Sequence, residues 1–168
     1  MQFLARDEAK TLEKKLRREL AERPKLVLYY ESGERDYAAA ANAVAASVGN
    51  FSAATLVYQF CVSGDGWSEG GPPDARWERY KRWRAAQGEA RRLYEVPGHR
   101  LARGEAELLS NAIAFALQLG WDALLAATPK RQLLLLSHDD RMEIYRGFDR
   151  RALADRLTSL GYWRRAAR

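Results

Sequence analysis

The sequence predicts an α+β fold: a single domain on a mixed β-sheet of about five or six strands, with helices packed on one or both faces. Three observations carry this prediction. Apolar residues recur at helical spacing in several segments, and leucine-rich, β-branched or aromatic runs of strand length stand between those segments. The final third strings strand-like runs together through short turns, giving a C-terminal β-meander closed by a last helix.

Taken in order, residues 7–22 place Leu12, Leu16 and Leu20 every four residues, with Ala5 and Ala9 extending the stripe and charges elsewhere. This predicts an N-terminal amphipathic helix that Pro24 ends, within a segment spanning 1–24. Residues 25–31 (Lys-Leu-Val-Leu-Tyr-Tyr-Glu) are apolar on both faces, as in a central strand covered on two sides. Asp36 is placed to cap a helix over 36–48, Gly49-Asn50 stops it, and a strand is expected over about 53–62. The uncharged run from Tyr37 to Gly64 is long enough to span a bilayer, but the Gly49-Asn50 break and the alanine dominance favour a buried helix and strand.

Residues 63–73 (Ser-Gly-Asp-Gly-Trp-Ser-Glu-Gly-Gly-Pro-Pro) read as a loop, Asp74 as the cap of a helix through about Gln87, and 93–96 as a short strand ending at Pro97-Gly98. A strongly apolar helix follows over 104–119, stopped by Gly120. Residues 121–128 fit either an extension of that helix or a strand between Gly120 and Pro129; 132–137 and 141–145 are strand-like around the turn residues His138-Asp139-Asp140. Asp149 opens the last helix, with Leu153, Leu157 and Leu160 as its buried stripe, and Trp163 precedes an arginine-rich tail over 161–168. No repeat or low-complexity linker divides 1–168.

Composition narrows the class. With 30% charged and 47% hydrophobic residues, the chain resembles an ordinary globular protein rather than a disordered, collagen-like or coiled-coil one. The lone cysteine, Cys61, cannot form an internal disulfide and reads as a buried apolar residue; residues 1–8 lack a signal-peptide core, so a cytoplasmic location is expected. The abundance of arginine, alanine and leucine looks like the bias of a high-GC bacterial genome. The excess positive charge is concentrated: residues 76–103 hold nine basic and three acidic side chains.

The motifs of chemistry are sparse. There is no Cys-x-x-Cys pair, His-Glu-x-x-His helix, Gly-x-Ser-x-Gly elbow or phosphate-cradling glycine loop, so no catalytic residue, metal ligand or cofactor is assigned. His138-Asp139-Asp140 has the residue types of a hydrolase base, with His99 as a further candidate metal ligand, but aspartates at a hairpin tip ordinarily bond their own backbone. Glu31, Glu34 and Asp36 lie beyond the first strand, where paired carboxylates act as acid and base or simply favour a helix start.

The densest signal interleaves arginines with aromatics. Trp67, Arg76, Trp77, Arg79, Tyr80, Arg82, Trp83 and Arg84 form the expected partner-binding set, because arginines grip carboxylates or phosphates and Trp and Tyr anchor interfaces. The competing reading packs the aromatics on the sheet and leaves the arginines in water. The expected function is a small non-enzymatic interaction protein of the immunity-protein or antitoxin kind, binding an acidic protein partner. RNA or DNA binding by the same surface is the alternative, a hydrolase using His138, Asp139 and Asp140 is the second alternative, and no membrane partner is expected.

Overall fold

The computed structural model describes residues 1–20, 24, 26–30, 36–59 and 75–163. Its elements are β1 (Gln2–Leu4), α1 (Arg6–Glu19), β2 (Leu26–Tyr29), α2 (Tyr37–Val48), β3 (Ala53–Tyr58), α3 (Ala75–Ala86), a 3₁₀ turn (Leu93–Glu95), β4 (Gly98–Ala102), α4 (Ala106–Leu119), β5 (Ala123–Thr128), β6 (Gln132–Ser137), β7 (Arg141–Arg146) and α5 (Arg150–Ser159). Among the described residues the strands form one seven-stranded sheet in the order β1-β4-β3-β5-β6-β7-β2.

The α+β class and the meander β5-β6-β7 are as expected, and 121–128 resolves as a strand. Among the described residues the strands number seven, slightly more than expected, and each pairing is antiparallel. The reason lies in the course of α2. The strands flanking it, β2 and β3, do not pair, because β5, β6 and β7 stand between them.

Helices cover both faces. Tyr80 of α3 and the apolar sides of α2, α4 and α5 join Leu26, Leu28, Ala54, Leu56, Leu101, Leu125, Leu134 and Ile144 in the main core. On the opposite face α1 sets Ala9 against Leu4 and Val57, and Leu16 against Leu124, Leu133 and Tyr145. Alternate residues of each strand thus meet different helices, which is why β5 and β6 read as continuous apolar runs. The caps act as expected: Asp36 accepts from the Ala39 N–H at 2.8 Å, Asp149 from the Ala152 N–H at 3.1 Å, and Gly120 ends α4 in the left-handed region.

Two strands depart from expectation. β2 is an edge strand rather than a central one; Leu26 and Leu28 enter the main core while Val27 and Tyr29 are half-buried. Its outer edge is partly closed by Trp163, which exchanges backbone bonds with Tyr29 (2.8 and 2.9 Å) and stacks on its ring at 5.4 Å. The segment 93–96 is a 3₁₀ turn, because Glu95 folds back to accept the Arg92 N–H at 2.7 Å. The strand follows at 98–102, starting on Gly98. A Cβ there would lie 3.2 Å from both Leu4 Cδ1 and the Leu56 carbonyl oxygen, so glycine lets β1 and β3 close in on β4.

Candidate functional site

Helix α3 has two unlike sides, and the sequence spacing sets both. Trp77, Tyr80 and Trp83 recur every three residues and Arg84 completes the row, so all four turn toward the sheet and α4. Tyr80 is fully buried, with Trp77 and Trp83 stacked at 5.6 and 5.9 Å and Phe115 and Trp121 edge-on at 5.0 and 5.1 Å. Arg76, Arg79 and Arg82 lie about 100° round the helix from the aromatic row, and all three are exposed. Arg76 donates to the Gln118 carbonyl at 3.0 Å, and Lys81 pairs with Glu78 at 2.7 Å. Arg79 and Arg82 make no ion pair among the described residues.

The expected partner-binding set is therefore divided. Arg76, Arg79 and Arg82 reach the surface, Trp77 and Trp83 are partly buried, Tyr80 and Arg84 are inside, and Trp67 lies outside the described residues. Helical periodicity explains the division: residues three and four apart share a face, and burial of that face takes the aromatics with the one arginine in their row.

Beneath α3 lies a buried polar group. His99, on the core-facing side of β4, has no exposure; its Nε2 is 3.2 Å from the Tyr58 hydroxyl and 3.4 Å from that of Tyr80. Phe3, Tyr58 and Trp83 surround the imidazole with ring centroids at 5.0, 5.3 and 5.4 Å. Burial, reinforced by the nearby Arg84 charge, pushes the His99 pKa down to about 3, so the ring is neutral near pH 7. Arg84 is only 4% exposed and its guanidinium carbon stands 5.7 Å from the centroids of both Phe3 and Tyr80. Glu89, also buried, is committed elsewhere: Arg91 donates to it from its backbone N–H, Nε and Nη2 at 2.8, 2.9 and 2.6 Å. The Arg91 bond holds the Glu89 carboxyl below the usual carboxylate range.

Comparisons with family models, with curated proteins and with solved structures return no match.

The turn after β6 makes a second polar constellation. Asp122, which sequence reasoning did not single out, accepts from the His138 backbone N–H at 2.7 Å and meets its Nδ1 at 2.9 Å; Asp139 faces Nε2 at 3.3 Å. The Asp122 hydrogen bond raises the His138 pKa. A general base needs a ring nitrogen open to substrate, whereas both nitrogens here face carboxylates, so the arrangement is a clamp between the hairpin tip and the start of β5. Arg141 then holds Asp139 at 2.9 Å and Glu143 at 2.6 Å, and Asp140 turns the chain at φ 55°. His99 lies apart from this constellation, under α3, and among the described residues no group of three or more His, Cys, Asp or Glu is placed to hold a metal. Asp36 is spent on its cap, and Glu31, Glu34 and Cys61 lie outside the described residues. No described helix is long and apolar enough to cross a membrane.

Proposed function

We propose that the chain is a non-enzymatic binding module that takes an acidic protein partner on the outer flank of α3. The observation that carries this reading is the pair Arg79 and Arg82. Both are exposed and without a carboxylate among the described residues, as are other surface cations such as Arg18, Arg103 and Arg151, but these two stand one turn apart on the helix that opens the stretch 76–103, where the excess positive charge is concentrated. The stacked aromatics beneath anchor α3, so the backbone that presents these arginines is already in place, and only their side chains have to be ordered on binding. An acidic protein fits this flank better than a nucleic acid. The aromatics that would stack on bases are turned inward, and two unpaired cations beside Glu78 match scattered carboxylates better than a phosphate ladder. The immunity-protein or antitoxin kind belongs to the same proposal as its finer form.

The test compares the wild-type chain with Arg79→Glu/Arg82→Glu on an immobilised Glu/Asp-rich peptide and on a single-stranded RNA oligomer, at about 50 and about 300 mM salt. Retention of the acidic peptide should fall about tenfold or more in the variant, corresponding to about 1.4 kcal/mol. Equal retention by the variant would refute the reading. Retention of RNA alone, falling steeply with salt, would replace it with nucleic-acid binding.

A further inference from the structure

Beneath α3 the nitrogen donors outnumber their acceptors. Arg84 Nε and Nη2, His99 Nδ1 and Trp83 Nε1 are all buried without a hydrogen-bond partner among the described residues. A buried charge left without an acceptor is costly, and the two rings beside Arg84 attract the cation without accepting its N–H bonds. Nε and Nη2 are the two parallel donors on one edge of the guanidinium, the edge that matches the paired oxygens of a carboxylate or phosphate. Glu89 is the nearby carboxylate, and Arg91 occupies both of its oxygens. Arg84, Arg91 and Glu89 together leave one positive charge uncompensated.

We infer that the Nε/Nη2 edge of Arg84 is an oxyanion site, taking one carboxylate or phosphate group under α3, with the His99 ring and the Trp83 indole as its lining. Phe3 joins the components, lying 5.0 Å from the His99 ring and 5.7 Å from the Arg84 guanidinium carbon. His99 lines the site as a neutral ring: the Tyr58 hydroxyl gives its proton to the Ala112 carbonyl at 3.2 Å, so Nε2 carries the proton toward Tyr58 and the donors offered to the oxyanion are those of Arg84 and Trp83. Both arginine nitrogens lie below the surface, and the Trp83 indole beside the His99 ring reports the arrival of the oxyanion. The site is independent of the outer flank of α3, which uses different arginines.

The experiment titrates the full chain with inorganic phosphate and, separately, with acetate, each at constant ionic strength set with chloride. It reads tryptophan fluorescence, the melting temperature and the arginine Nε–H resonances. The expected result is a saturable fluorescence change, a raised melting temperature and a shift of one buried Nε–H signal with at least one oxyanion. Phosphate acting alone would name a phosphate ligand, and acetate acting alone a carboxylate; either supports the site. Arg84→Lys, which keeps the charge without the fork, should weaken the response about tenfold, while Arg79→Glu/Arg82→Glu should leave it intact. No saturable response of the wild-type chain to either anion would overturn the inference. So would an unchanged response in Arg84→Lys; should that variant not fold, the wild-type Nε–H signal decides.

Discussion

Two histidines with opposite surroundings give this protein opposing responses to pH. His99 is depressed in the folded chain, so between pH 6.5 and about 3 the unfolded chain binds a proton that the folded chain refuses. Its contribution is therefore present above pH 6.5 and lost as pH falls. Urea unfolding of the wild-type chain across that range should show a slope approaching 1.4 kcal/mol per pH unit from this residue, and His99→Gln should flatten the curve. His138 is raised, so its contribution is complete below pH 6.5 and disappears as pH climbs through its folded value. Wild-type chain should lose more stability than His138→Gln between about pH 6 and about pH 9, by a small amount because the ring is 62% exposed. A wild-type profile matching the variant's above pH 6.5 would show that Asp122 does not hold the ring in solution.

At the scale of elements, local chemistry decides. Asp149 caps α5 through one bond, and Asp149→Ala should lower stability by about 1 kcal/mol in urea unfolding. Gly147 is a stricter requirement. It sits at φ 76° after β7, and a Cβ there would lie 2.7 Å from the Lys130 carbonyl oxygen and from Gln132 Cα. Gly147→Ala should therefore cost about 2 kcal/mol or more, read as a lower urea midpoint with unchanged slope. These are also the places where the sequence is most legible. Asp36, Gly120 and Asp149 announce helix ends through contacts with residues three or four away, and the turns between β5, β6 and β7 join strands adjacent in the chain. The three-residue β1 has no such signature, and β4 begins on a glycine that local chemistry reads as a turn. Its place depends on Leu4 and Leu56, both distant in sequence. The site divides in the same way. The three-residue spacing of Trp77, Tyr80 and Trp83 foretells an inward face, but the burial of Arg84 against Phe3, and the reach of Asp122 to His138, are long-range facts.

At the scale of the whole molecule, sheet order separates what the helices alone would place together. The strand over 26–29 carries apolar residues on both faces, the composition of a strand at the centre, yet it lies at a rim. Its two sides are apolar because α5 and Phe148 belong to the core on one, and the other is half-covered. Along its outer edge Trp163 supplies backbone bonds and a stacked ring, a common way of shielding an open strand from other chains. Trp163→Ala should remove the ring stacked on Tyr29, and the variant should aggregate faster than the wild-type chain when both are held just below their melting temperatures. Equal aggregation would mean that the backbone bridge alone is sufficient protection.

The positions of β1 and β2 also bear on how the chain acquires its shape. Both belong to the first thirty residues, yet β1 waits for β4 and β2 waits for β7. During synthesis, Leu26 and Leu28 must remain without their sheet neighbour until residues past 140 have left the ribosome. The pairings of β1 and β2 therefore carry the loop-closure cost of widely separated segments, which slows their formation relative to the hairpins β5-β6 and β6-β7.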